Sequence, residues 1–167
     1  MGGRMWRRVL FSSVLASVAG VLLHFALEWS GRHPLVAIFA SQNESTWEHM
    51  KLAFWPCLFV GLAWRWMYDA PPGWLPAAST FAIGAAALIP IIFYGYTALL
   101  GTHYFALDLA TFFLSVILGA IGGVMLLPKQ MSRATHVVAA VAFALAVLAF
   151  ATLSANPPDW FLFAPPA

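Results

Sequence analysis

Five apolar runs limit what this chain can fold into: Val9–Trp29, Lys51–Tyr68, Ala77–Leu100, Tyr104–Leu127 and Ala134–Ser154. Each holds 18 to 24 residues. A helix of about 20 residues, rising 1.5 Å per residue, crosses a hydrocarbon core of about 30 Å. The breaks between the runs are sharp. Asp69-Ala70-Pro71-Pro72-Gly73 is a turn, Gly101-Thr102 is a very short connection, Pro128 to Arg133 is polar, and Asn156-Pro157-Pro158 stops the last run. The expected fold is all-α: one membrane domain over residues 1–167, built as a bundle of five transmembrane helices.

Composition agrees. Only 8% of the residues are charged and 62% are apolar, where a soluble domain carries about a quarter charged. The formal net charge of +2, with no Lys/Arg run, gives no purchase for nucleic acid. The expected partners are the lipid bilayer and, beyond it, a second copy of the chain or a larger membrane complex. Cys57 is the single cysteine, which excludes an intramolecular disulfide and thiolate clusters. Arg4 to Arg8 followed by apolar residues has the outline of a signal peptide. The apolar stretch continues to Trp29, however, which suits an uncleaved spanning helix better.

Basic residues set an orientation. Arg4, Arg7, Arg8, Arg65, Lys129 and Arg133 fall on one side, Arg32 and Lys51 on the other. Six against two places the N-terminus in the cytoplasm and, with five spans, the C-terminus outside a bacterial inner membrane. Residues 30–50 form the external loop. Within it Pro34 to Ala40 is apolar but too short to span, and is expected as an interfacial helix, a re-entrant segment or a lid.

Under this topology seven titratable residues gather near the external face: His24, Glu28, Glu44, Glu48, His49, His103 and Asp108. His24 and Asp108 each lie about five residues inside a span, roughly 8 Å deep. An Asp at a helix centre costs about 2.5–3.5 kcal/mol, less near an interface. Asp108 therefore needs a partner, and His24 is the simplest one. Glu28 follows His24 by one helical turn. Ser45-Thr46-Trp47-Glu48 matches a capping box, with Ser45 and Asn43 as structural caps and Glu48 bonding back to the Ser45 amide. Glu28 with Arg32 and Glu48 with Lys51 also read as ordinary ion pairs. Pro56 and Pro90 lie inside spans, where they free carbonyls near Leu52 and Ala86. Glu44, Tyr94 and Thr97 are expected to line a pocket. His33 reads as a loop residue, and His136 belongs to the opposite end.

His24-Phe25-x-x-Glu28-Trp29-Ser30-Gly31, Asn43-Glu44-Ser45-Thr46-Trp47-Glu48-His49-x-Lys51, Phe93-Tyr94-Gly95-Tyr96-Thr97 and Asp108 resemble a family of small bacterial multi-pass membrane proteins of unknown function. The likeness runs from about His24 to Gly123. It leaves out the tail after Pro128 and brings no activity with it. The residues themselves suggest a site for a divalent metal, Zn²⁺, Mn²⁺ or Fe²⁺, with His24, Glu28, Glu48, His49, His103 and Asp108 as ligands. Transport, sensing and metal-assisted hydrolysis with Glu44 or Glu48 as base all fit these donors. So do an accessory subunit with a structural polar cluster and an aromatic docking tail, and a proton-coupled carrier built on His24, Asp108 and Tyr94. Haem between His24 and His103 is disfavoured by the carboxylates nearby.

Overall fold

The structure is a computed structural model and describes residues 2–166. The described residues form an all-α fold, in the order α1 Gly2–Trp29, α2 Pro34–Ala37, α3 Thr46–Met67, α4 Trp74–Leu100, α5 Phe105–Leu126 and α6 Arg133–Leu153, followed by one 3-10 turn at Phe161–Phe163. Four of these helices, α1, α4, α5 and α6, are long and apolar enough to cross a membrane. The Lys51–Tyr68 run, expected as a fifth span, forms α3. At 22 residues it has spanning length, but Glu48, His49, Lys51 and Arg65 make it too polar to join the other four.

Burial explains why α3 tolerates those residues. Fourteen of its 22 residues are buried, against two of 21 in α6. The central helix has its neighbours as solvent, while α6 keeps Val137, Val138, Val141, Leu145 and Leu148 on the surface. Helices α1, α4 and α5 pack around α3, and α6 leans on α4 from outside. At the core, fully buried Trp64 stacks on Phe81 with ring centroids 5.2 Å apart and donates its indole N–H to Ser12 Oγ at 3.0 Å. An indole N–H buried in an apolar interior needs such a partner.

Pro56 and Pro90 sit within continuous helices α3 and α4. Proline has no N–H, so the Leu52 carbonyl loses its usual donor in α3. Helix α1 covers this carbonyl, and it comes close because Gly20 has no side chain. A Cβ at Gly20 would lie 2.8 Å from Leu52 O and 2.6 Å from Phe112 Cζ. Gly20→Ala must therefore push α1 off its neighbours, at a cost typical of overpacking, about 1–3 kcal/mol. Thermal unfolding of the purified variant checks this; an unchanged midpoint would refute the contact.

The apolar segment after α1 opens with the short helix α2, which has no buried residue and keeps Leu35 exposed, and only its second half packs inward. It runs back along α3: Trp55 Nε1 donates to Ile38 O at 3.1 Å, and Phe39 packs on Trp55 and Phe59 with centroids 4.9 and 6.2 Å away. Trp55 lies nine residues into α3, so the segment reaches about 13 Å along that helix. The C-terminal tail also folds onto the bundle. Phe163 is buried and stacks on Trp47 at 4.7 Å, while Trp160 and Phe161 of the same aromatic tail stay exposed.

Candidate functional site

Antiparallel packing brings the end of α1, the start of α3, the end of α4 and the start of α5 to one end of the bundle. His24 stands five residues before the end of α1. Glu44 lies in the loop just before α3, and His49 is in that helix's first turn. His24 Nε2 is 3.7 Å from Glu44 Oε1, and His49 Nε2 is 3.5 Å from Glu44 Oε2. The two rings lie 5.9 Å apart, tilted by 36°. One donor atom from each of the three residues falls within 4.8 Å of the others.

The His49 tautomer follows from its other nitrogen. Nδ1 is 3.0 Å from the Ser45 carbonyl, which can only accept, so Nδ1 carries the proton. In the neutral ring Nε2 then presents a lone pair to a carboxylate oxygen. Two acceptors 3.5 Å apart repel unless a cation, either a proton or a metal ion, lies between them. A histidine whose far nitrogen is bonded to backbone is also the arrangement that orients metal-ligating imidazoles.

Asp108 does not pair with His24. Its Oδ2 accepts from His103 Nδ1 at 3.0 Å and its Oδ1 accepts from the Tyr96 hydroxyl. The α5 helix begins at Phe105, which leaves Asp108 in the first turn rather than five residues deep. There the helix dipole favours its charge. With both oxygens occupied by donors, Asp108 orients His103 and leaves the other ring nitrogen free. Tyr94, two residues before Tyr96 and so on another side of α4, was the tyrosine expected at the site. The signal was present in the Tyr-Gly-Tyr run.

Several expected site residues are engaged elsewhere. Glu28 is exposed and bound to Arg32 Nη1 at 2.5 Å. Glu48 is buried, with Lys51 Nζ at 2.5 Å and the Gln42 amide at 3.0 Å on its carboxylate. The capping box is thus only half formed. Ser45 Oγ accepts from the Glu48 amide at 3.4 Å, but Ser45 N donates to Asn43 Oδ1 at 2.8 Å instead of to Glu48. Thr97 bonds back to Phe93 O at 2.9 Å, and Tyr94 shares a hydrogen bond with Thr46 at 3.0 Å. Neither lines the cavity. His136 lies at the opposite end, 3.1 Å from Pro72 O.

A cavity of about 550 Å³ opens beside the cluster, within the range of ligand sites. His24, Glu44, His49, His103 and Asp108 all border it. The rest of its wall is mainly apolar: Val21 and Phe25 of α1, Leu52 of α3, Ile89 and Phe93 of α4, and Phe105, Leu109 and Phe112 of α5. Pro165 and Pro166 of the tail line it as well, whereas none of Pro34 to Ala40, the segment read as one possible lid, does. These apolar walls carry no periodic signal that separates them from core residues, so sequence reading passed over them.

A family model described as a family of unknown function (DUF6512) matches residues 5–166, and the chain belongs to that family. The match takes in the tail after Pro128, beyond the limit read from the motifs. No curated protein and no solved structure matches the chain.

Proposed function

We propose that this member of a family of unknown function is an integral membrane protein that binds one divalent cation through His24, Glu44 and His49. The observation that carries the proposal is the His49 Nε2 lone pair facing the Glu44 carboxylate at 3.5 Å, with His24 closing the third side. Two imidazole nitrogens and one carboxylate oxygen suit Zn²⁺, Mn²⁺ or Fe²⁺. Bonds of about 2.0–2.1 Å put tetrahedral ligands about 3.3 Å apart; the two imidazoles meet different Glu44 oxygens at 3.7 and 3.5 Å, and the three donor atoms, all within 4.8 Å of one another, would draw inward around one ion. The ligand set moves from the one expected: Glu44 joins, and Glu28, Glu48, His103 and Asp108 leave.

Three protein ligands leave a coordination position free, as in catalytic zinc sites. Because His24, Glu44 and His49 all border the cavity, an ion held by them would meet a ligand or activate a water there. His103, its tautomer fixed by Asp108, borders the same space and is suited to accept a proton. This geometry supports metal-assisted chemistry or ligand sensing over carriage of the ion. In this reading α3 is the fifth span, shielded by α1, α4 and α5. The six-to-two bias of basic residues puts the N-terminus in the cytoplasm of a bacterial inner membrane and the site near the external face.

Elemental mass spectrometry of the detergent-purified protein is the test. About one metal per chain is expected, released by a chelator and by acidification, because protons compete for the imidazoles. Absence of metal after incubation with Zn²⁺, Mn²⁺ and Fe²⁺ would overturn the proposal. The cation between His49 and Glu44 would then be a proton.

A further inference from the structure

We infer that the cavity takes a membrane amphiphile with an acidic headgroup, which enters sideways between α1 and α5 and places its headgroup on the metal. The inference rests on the metal reading and names the ligand of that site. It begins from one set of residues. Val21, Phe25, Phe105 and Leu109 line the cavity, and all four are also exposed at the bundle surface, by 39%, 49%, 80% and 41%. The mouth of the cavity therefore lies in an apolar outer face between two helices that are long and apolar enough to cross a membrane. A water-soluble ligand gains nothing from such a door, whereas a lipid chain already lies against it.

The interior has the polarity of an amphiphile. Leu52, Ile89 and Phe112 form an apolar wall, and the imidazoles and carboxylates stand together along another part of the boundary. A volume of about 550 Å³ matches a drug-sized ligand, one acyl chain rather than a two-chain lipid. Headgroup chemistry follows from charge. A divalent ion held by two neutral imidazoles and one carboxylate keeps a net positive charge and an open position. A carboxylate or phosphate oxygen satisfies both, and the Asp108 carboxylate that borders the same space is turned to His103 and Tyr96. Gly20 contributes through its missing side chain, since any Cβ there would enter the space between Phe112 and Leu52.

The experiment uses the full chain in lipid nanodiscs loaded with Zn²⁺, a photoreactive diazirine-bearing palmitic acid and the matching alcohol as probes, and peptide mapping of the adducts. Labelling by the acid is expected on residues 20–25 and 105–112, and chelation of the metal should reduce it for the acid but not for the alcohol. Leu109→Trp, and Val21→Trp on the facing helix, should abolish this labelling while metal content, the measure of folding, stays at the wild-type level. Leu145→Trp on the surface of α6 should change neither. Labelling spread evenly over the outer faces and insensitive to Leu109→Trp and Val21→Trp, with metal still bound, would overturn the amphiphile and leave the metal reading standing. A wild-type protein without metal would overturn the metal reading, and this inference with it.

Discussion

Replacing His49 with alanine is expected to empty the metal site, whereas Asp108→Asn and Glu28→Gln should leave it filled. His49 supplies the best-oriented donor, because its Nδ1 proton is held by the Ser45 carbonyl at 3.0 Å and Nε2 has no other orientation open to it. Removing one of three ligands typically costs far more than losing an outer partner, for which about 10–100-fold in affinity is usual. His49→Ala and Glu44→Gln should therefore lower zinc affinity by more than about 100-fold, with His24→Ala close behind. Asp108 has both oxygens bonded, to His103 and Tyr96, and Glu28 belongs to Arg32. Their substitution should leave stoichiometry unchanged. Competition titration against a zinc indicator separates the two groups. Loss of metal in Asp108→Asn at full strength in His49→Ala would move the site across the cavity to the His103 side.

How far the sequence led can be judged from particular residues. The apolar runs located every long helix, because a segment that must hide its backbone in lipid has to be long and continuous, although α1 begins seven positions before its run and α3 five. The start of α3 is the instructive case. Its apolar run begins at Lys51, yet the helix begins at Thr46 because Ser45 caps it. The cap motif was the better guide there. Gathering of the polar residues at one end was also legible, since short connections force neighbouring helices antiparallel. Partner choice was not. Whether Asp108 meets His24 or His103 depends on the rotation of α5 about its axis and on the tight turn at Gly101, whose φ is +75°. Whether Glu48 reaches the cavity or Lys51 depends on the path of residues 34–42, of which Pro34 to Ala40 is uniformly apolar and carries no period.

The largest effect on stability is expected at Lys51, which is fully buried. Its ammonium group donates to Glu48 at 2.5 Å, to Ala37 O at 3.0 Å and to Ser154 Oγ at 3.2 Å. Gln42 adds bonds from its amide to Glu48 and from its side chain to Ser154 O at 3.3 Å. One cation thus ties the end of α2, α3 and the end of α6 together. Lys51→Ala would leave the Glu48 carboxylate buried without its counter-charge, and breaking such a pair on one side costs about 3–5 kcal/mol. The variant should unfold or lose its fluorescence-detected chromatography peak well below the wild-type temperature. Glu48→Gln should be milder, because the amide can still accept from Lys51. Replacing both partners with apolar residues of similar volume, Glu48→Leu with Lys51→Met, removes the desolvation penalty together with the attraction. That double variant should recover most of the loss. Its metal content should equal the wild type's, because neither residue touches the His24–Glu44–His49 group. A double variant that regained stability but bound no metal would mean that Glu48 reaches the ion, and would return it to the ligand set.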